Sequence, residues 1–192
     1  MRPEILEHVS WNSVFSMQNI KILNNYINEN FDYIEPTEHG AYNSDGTSKK
    51  NADGKVIKWF RIKDILKHIV DIAYQCNNDR IGYNLYPMTT EKELVYASYK
   101  QEKKGNYDWH VDSCATHIFD TKLTMILNLS EDKYEGGVFE YIGAGGEIKS
   151  IDDFNEPGSM IIFKSYLNHR VLPVTKGQRN TLTLFLNGPK FV

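Results

Sequence analysis

Arg179-Asn180-Thr181-Leu182-Thr183-Leu184-Phe185-Leu186 alternates with a period of two, the repeat of a β-strand whose successive side chains point to opposite faces. Leu182, Leu184 and Leu186 share one face, and Arg179, Thr181 and Thr183 share the other. The leucine face is suited to a hydrophobic core, while the other face carries a fixed cation and hydroxyls. The stretch therefore predicts a wall between a core and a polar interior. Outward from it, short strands are predicted at 82–85, 94–99, 109–112, 123–129, 138–141, 159–163 and 168–171, with this last strand at 181–186. Glu135-Gly136-Gly137, Gly143-Ala144-Gly145-Gly146 and Pro157-Gly158 supply turns between them.

Before residue 81 the period is that of helices. Ser16 is a candidate N-cap for a helix carrying Ile20, Leu23, Tyr26 and Ile27, with Pro36 closing the region. Ile62, Ile65, Leu66, Ile69, Val70 and Ala73 form one apolar stripe of a second helix, ended by Asn77-Asn78. Residues 38–55 are polar and without period, and read as a loop able to act as a lid or substrate loop. About eight short strands behind two helices predict an α+β, mainly β fold, a double-stranded β-helix (jelly roll, cupin-like) buttressed by N-terminal helices. A single domain over 1–192 is expected, with helical support at about 14–77 and a jelly-roll core at about 81–188.

Composition narrows the function classes. With 192 residues the chain can bury a substantial core, and its net charge of −3 gives no footprint for nucleic acid or an anionic membrane. The basic residues at 100–104 are interrupted by Gln101 and Glu102 and read as a solvated turn. No apolar run approaches the roughly 18 residues of a membrane span, and the first residues lack a hydrophobic signal core. Cys76 and Cys114 are too few for a disulfide framework, so a reducing cytoplasm is expected.

The chemistry concentrates in His110-Val111-Asp112 and in His169 followed by Arg179. On a strand His110 and Asp112 share a face, and a second imidazole from a distant strand completes two histidines and one carboxylate on one side of a metal. That set leaves the opposite coordination positions open, the arrangement of non-haem Fe(II) oxygenases. Arg179, ten residues after His169, adds a planar cation suited to gripping a carboxylate in bidentate fashion. Together these features suggest 2-oxoglutarate-dependent oxygenation.

Tyr99, the His110/Asp112 pair, Leu127-Asn128-Leu129, Glu135-Gly136-Gly137, Pro157-Gly158-Ser159 and the block from His169 to Arg179-Asn180-Thr181 follow one another in an order that resembles the 2-oxoglutarate/Fe(II) oxygenases of the prolyl 4-hydroxylase catalytic-domain type, especially small bacterial and phage-encoded members. The resemblance runs from roughly Val14 to Phe191. It implies Fe(II) on His110, Asp112 and His169, and 2-oxoglutarate held by Arg179 with hydroxyl hydrogen bonds from Thr181 and Tyr99. It further implies O2 as co-reactant and ascorbate as a candidate additional cofactor. Arg in place of the Lys of collagen-type members fits the bacterial and oxygen-sensor-like branches better. An Asp at the carboxylate position, rather than the Ala or Gly of related halogenases, favours hydroxylation.

Asn128, mid-strand among aliphatic residues, is expected to bond the keto acid or a metal ligand, because a buried unpaired amide is costly. Tyr107, Trp109 and Arg170 are candidate substrate contacts. His117 and Cys114 do not match structural zinc spacing, and His117 reads as a loop residue. The expected activity is hydroxylation of a prolyl residue in a peptide or protein. A free amino acid or other small molecule is the alternative substrate, and a non-catalytic jelly-roll binding module is the alternative from another class.

Overall fold

In the computed structural model, which describes residues 6–34, 40–113 and 118–190, the β period becomes two antiparallel sheets. The larger sheet holds, in spatial order, β1 (His8–Trp11), β10 (Met160–Lys164), β6 (Asp120–Asn128), β13 (Gln178–Gly188), β4 (Glu93–Lys100) and β3 (Asp53–Lys58). The smaller sheet holds β2 (Lys50–Asn51), β5 (Asn106–His110), β11 (His169–Val171), β8 (Phe139–Ile142) and β9 (Ile148–Ser150). β7 (Glu135–Gly136) and β12 (Val174–Lys176) pair as a short ribbon. This is the expected jelly roll.

Two helices cover the outer face of the larger sheet. Helix α1 (Met17–Asn30) begins where the Ser16 hydroxyl accepts the Asn19 N–H at 3.2 Å, the expected cap, and buries Ile20, Leu23 and Ile27. Helix α2 (Lys63–Cys76) buries Leu66, Ile69, Val70 and Ala73. These side chains form one core with Leu123, Met125 and Leu127 of β6 and Leu182, Leu184 and Leu186 of β13. A second core lies between the sheets, where Ala97, Tyr99, Ile126, Ile161 and Phe163 meet Phe139, Tyr141 and Val171. β13 therefore has its leucines against the helices and Arg179 and Thr181 toward the smaller sheet. No helix among the described residues is long and apolar enough to cross a membrane.

Two stretches differ from the sequence-based expectation. Residues 82–85 are not a strand. The buried Asn77 side chain accepts the Tyr83 N–H at 3.0 Å and donates to the Tyr83 carbonyl at 2.8 Å. A side chain thus takes the bonds a neighbouring strand would have made, after α2 has unwound through a π turn at Asn77–Ile81. Within 38–55, the end is not loop but β2 and the start of β3. β3 is an edge strand on β4, and its Lys55 escapes the hydrophobic reading because its stem is buried while the ammonium donates to the Ile27 carbonyl and to Asn28 at the end of α1. Residues 38 and 39 lie outside the described residues. The N-terminal region thus contributes strands to both sheets as well as helices.

Candidate metal centre

β5 and β11 are neighbours in the smaller sheet, and their register places His169 directly across from His110. The two imidazole centroids are 4.1 Å apart. Each ring is oriented by the carbonyl two residues before it, with Asp108 O 2.7 Å from His110 Nδ1 and Leu167 O 2.9 Å from His169 Nδ1. A carbonyl only accepts, so each Nδ1 carries a proton and Nε2 is left as the atom that can offer a lone pair to a metal. Both Nε2 atoms face Asp112, His110 Nε2 at 3.5 Å from Oδ1 and His169 Nε2 at 3.5 Å from Oδ2. The ligand atoms of the three residues lie within 4.8 Å of one another. Two neutral nitrogen lone pairs and a carboxylate converging on one point fit a divalent transition metal.

Asp112 reaches this position by a route the sequence did not suggest. β5 ends at His110, Val111 turns outward and is 47% exposed, and Asp112 is anchored by its backbone N–H to the Ser165 carbonyl at 2.9 Å. Thr124, fully buried on β6, donates its hydroxyl to Asp112 Oδ2 at 2.9 Å and so accepts from Ser165 Oγ at 3.0 Å. Burial raises the Asp112 carboxyl, but the neighbouring imidazoles and the Thr124 hydroxyl outweigh it and hold the group below its ordinary value. Burial pushes the His169 imidazole down to about 4, which keeps it neutral near pH 7.

Arg179 enters the same cavity from the larger sheet. It is 1% exposed, and among the described residues its Nε and Nη2 have no hydrogen-bond partner. These two nitrogens share one edge of the guanidinium plane, a fork that matches a carboxylate. The Tyr99 and Phe154 rings each lie 5.3 Å from its central carbon. Gly137, at φ +62°, makes room for it, since a Cβ there would come within 2.9 Å of Arg179 Cδ. That close approach gives the Glu135-Gly136-Gly137 turn a physical meaning. Thr181 lines the cavity, as does Tyr99, whose hydroxyl is pushed up to about 12 by burial despite the opposing Arg179 charge and so stays a donor.

The remaining candidates divide. Tyr107 lines the cavity and stacks on His110 with centroids 3.4 Å apart. A bulge in β5 opposite β11 lets both residues face inward, although they are an odd number of positions apart. Trp109 and Arg170 do not line the cavity. The Arg170 guanidinium pairs with Glu140 at 2.7 Å and lies 4.6 Å from the Trp109 ring centre. Asn128 corrects the expectation that it serves a keto acid. Its amide donates to the Phe154 carbonyl at 2.9 Å and the Tyr134 hydroxyl at 3.2 Å, and accepts the Ser130 N–H at 3.0 Å. It ties the exit of β6 to the turn at Asp152–Asn155 and does not line the cavity. His117 and Cys114 lie outside the described residues.

Sequence reasoning missed Thr124, Ser165 and Lys50. Lys50, on β2, is buried in the cavity wall with its ammonium 5.3 Å from the Tyr107 ring centre. Burial pushes it down to about 8, offset in part by the Asp112 carboxylate. No periodic signal marked it, because it sits in a stretch of polar residues.

The family model of the 2OG-Fe(II) oxygenase superfamily matches residues 94–187, from β4 through most of β13. No curated protein matches the sequence. Among solved structures, a prolyl-4-hydroxylase from Pseudomonas putida is similar over 96% of this chain and 94% of its own, with a TM-score of 0.69 at 15% identity. A prolyl hydroxylase in complex with a hypoxia inducible factor oxygen degradation domain peptide fragment, from Trichoplax adhaerens, is similar over 94% of this chain and 83% of its own, with a TM-score of 0.65 at 16% identity. A non-heme alpha-ketoglutarate-dependent carbocyclase from nogalamycin biosynthesis is similar over 95% of this chain and 79% of its own, with a TM-score of 0.64 at 10% identity. At such identities these likenesses establish the fold alone.

Proposed function

We propose that the chain is a member of the 2OG-Fe(II) oxygenase superfamily, whose family model matches residues 94–187, and that it hydroxylates a prolyl residue in a peptide or protein. In this reading His110, Asp112 and His169 hold the iron. Arg179 grips the distal carboxylate of 2-oxoglutarate through Nε and Nη2, and the Tyr99 and Thr181 hydroxyls donate to the same group. The observation that carries the reading is the buried Arg179 edge, with two N–H groups unpartnered among the described residues, in the cavity where three candidate ligand atoms converge. A buried guanidinium left so is costly unless an anion completes it.

When bound, the iron and the keto acid supply the oxidising chemistry, with O2 divided between succinate and the hydroxylated product and with release of CO2. The protein's part is orientation. Carbonyl-bound Nδ1 atoms fix both imidazole tautomers, Thr124 fixes the carboxylate, and Ile126, Phe139 and Val171 wall the cavity against water. Tyr107, which lines the cavity and stacks on His110, is the substrate contact we favour, and Trp109 with Arg170 would serve only a substrate extending over the outside of the smaller sheet. Ascorbate as an additional cofactor and a cytoplasmic location, consistent with the buried thiol of Cys76, belong to the same proposal.

A second reading is hydroxylation of a free amino acid or other small molecule. It is favoured by the way residues 40–49 are fastened across β5. Ala41 donates its N–H to the Tyr107 hydroxyl at 2.7 Å, and Lys49 donates its ammonium to the Trp109 carbonyl at 2.7 Å. Such fastening encloses the site more than a peptide groove would. The deciding experiment is succinate release with Fe(II), run against proline-containing peptides and a panel of free amino acids. Turnover stimulated by a prolyl peptide supports the first reading, stimulation by a free amino acid alone replaces it with the second, and no turnover under any condition leaves a binding module.

A further inference from the structure

We infer that Lys50 is a second anion-binding residue of this site, holding the oxo-acid carboxylate of the keto acid at the metal end while Arg179 holds the far one. The inference rests on the proposed reading of the site and extends it to a residue outside the metal set and the Arg179 clamp. Its ground is placement. Lys50 stands on β2, in the same sheet as His110 and His169, whereas Arg179 stands on β13 in the opposite sheet. The ammonium lies 5.3 Å from the centre of the Tyr107 ring, and that ring is stacked on His110 at 3.4 Å. Lys50 is thus one ring away from a metal ligand. The Arg179 guanidinium instead sits between Tyr99 and Phe154. Both cations line one cavity, Lys50 from the smaller sheet and Arg179 from the larger one.

The chemistry that suits such a cavity is a short dicarboxylate. Lys50 is only 6% exposed and Arg179 1%, and like charges held together out of water repel more strongly than at the surface. A divalent metal would add further positive charge. A dianion with one carboxylate near His110 and the other at the Arg179 edge offsets both cations at once. Lys50 suits the metal end for a second reason. Its ammonium is a compact point charge with three rotatable donors, able to follow a carboxylate whose position the metal sets, whereas the planar fork of Arg179 dictates the position of its own partner.

The two ends can be separated with two probes. 2-Oxoglutarate has both carboxylates, and 2-oxobutanoate has only the one beside the oxo group. Each is titrated calorimetrically into protein loaded with Mn(II), which keeps the measurement free of turnover. Lys50→Met should weaken both acids by the same factor, at least about tenfold for loss of one partner of a buried charge pair. Arg179→Leu should weaken 2-oxoglutarate alone. Lys50→Arg, which restores the charge, should recover most of the affinity, and Mn(II) affinity should be unchanged in each variant. Lys50→Gln is the alternative should Lys50→Met fold poorly. Undiminished binding of 2-oxobutanoate to Lys50→Met or Lys50→Gln overturns the assignment, whether or not 2-oxoglutarate binding falls. Wild-type protein that binds Mn(II) but neither acid overturns the proposed function as well, so the two failures are distinguishable.

Discussion

Arg179 and Thr181 on one face of β13 are as deeply buried as Leu182, Leu184 and Leu186 on the other, and chemically opposite to them. Toward the helices, Leu182, Leu184 and Leu186 are at most 1% exposed and join a core of aliphatic side chains. Toward the smaller sheet, Arg179 and Thr181 are each 1% exposed, in a cavity shared with His110, Asp112, His169 and Lys50. Burial alone therefore does not separate scaffold from site. What separates them is whether the buried groups have their partners. The helix-side face satisfies itself by packing, while the inner face keeps two guanidinium N–H groups without a partner among the described residues and looks into the cavity where three ligand atoms converge. Such a face lowers stability unless something binds there, and the comparison makes opposite predictions for substitutions on its two sides.

The largest effect belongs to the proposed ligands. His110→Ala, Asp112→Ala or His169→Ala should each weaken Fe(II) or Mn(II) binding by more than the roughly 10- to 100-fold typical of an outer-shell partner, and each should abolish keto-acid turnover. The metal-free fold should survive, because the aliphatic core against the two helices is untouched. Metal titration with a thermal melt of the same sample checks both halves. Near-normal decarboxylation in two of the three variants would dismantle the proposed centre.

Leu184→Ala and Arg179→Ala form a crossed pair across one strand. Leu184→Ala opens a void in the helix-side core and should lower stability by about 2–5 kcal/mol, with little change in 2-oxoglutarate affinity per folded molecule. Arg179→Ala should weaken 2-oxoglutarate by about 2–5 kcal/mol while leaving stability level or raised, since it removes buried unpaired donors. Denaturant unfolding and calorimetry on both variants give a two-by-two result. If Arg179→Ala were as destabilising as Leu184→Ala and left keto-acid affinity intact, the inner face would be scaffold.

The sequence carried these two faces unequally. Alternation in β13 and the stripe on α2 announced the helix-side core, because packing against a flat partner imposes a regular period. Ser16 announced the start of α1 for an equally local reason. The candidate site was legible where a chemistry demands a residue type, since His110, Asp112, His169 and Arg179 do meet in one cavity even though Asp112 lies beyond the end of β5. It was illegible where geometry depends on an irregularity. The bulge in β5 turns Tyr107 inward, and two-residue β2 brings Lys50 to the cavity from a stretch without period. Asn128 misled because a buried amide has to be paired but does not say with what. Its partners arrive from residues 130, 134 and 154.

A pH dependence sharpens the contrast further. The His169 imidazole is lowered to about 4 from an ordinary 6.5, with burial the largest cause. Between those values the unfolded chain binds a proton at this residue that the folded one refuses. Stability of the metal-free protein should therefore fall as pH drops from about 6.5 toward 4. His169→Gln should flatten that limb, whereas Leu184→Ala should lower the whole curve without changing its slope there. Thermal midpoints across this range, in chelator, make the comparison.

The smallest effect tests how the carboxylate is aimed. Thr124 is buried on the inner face of β6, and its hydroxyl reaches Asp112 Oδ2 at 2.9 Å while Ser165 Oγ stands 3.0 Å behind it. Thr124→Val keeps the branched shape and removes the donor. Asp112 would lose one of the contacts that hold its carboxyl low, and Ser165 would lose its acceptor. Loss of an outer-shell partner typically weakens a metal by about 10-fold or somewhat more, so the expected change lies well below that of Asp112→Ala. It should appear in metal affinity and leave 2-oxoglutarate affinity at saturating metal nearly unchanged, because Arg179 and Thr181 are untouched. Thr124→Ser, which retains the hydroxyl, should bind metal almost as wild type does. Equal metal affinity in Thr124→Val and wild type would mean that the backbone bond from Asp112 to Ser165 suffices to orient the carboxylate, and that Thr124 is there to fill the core.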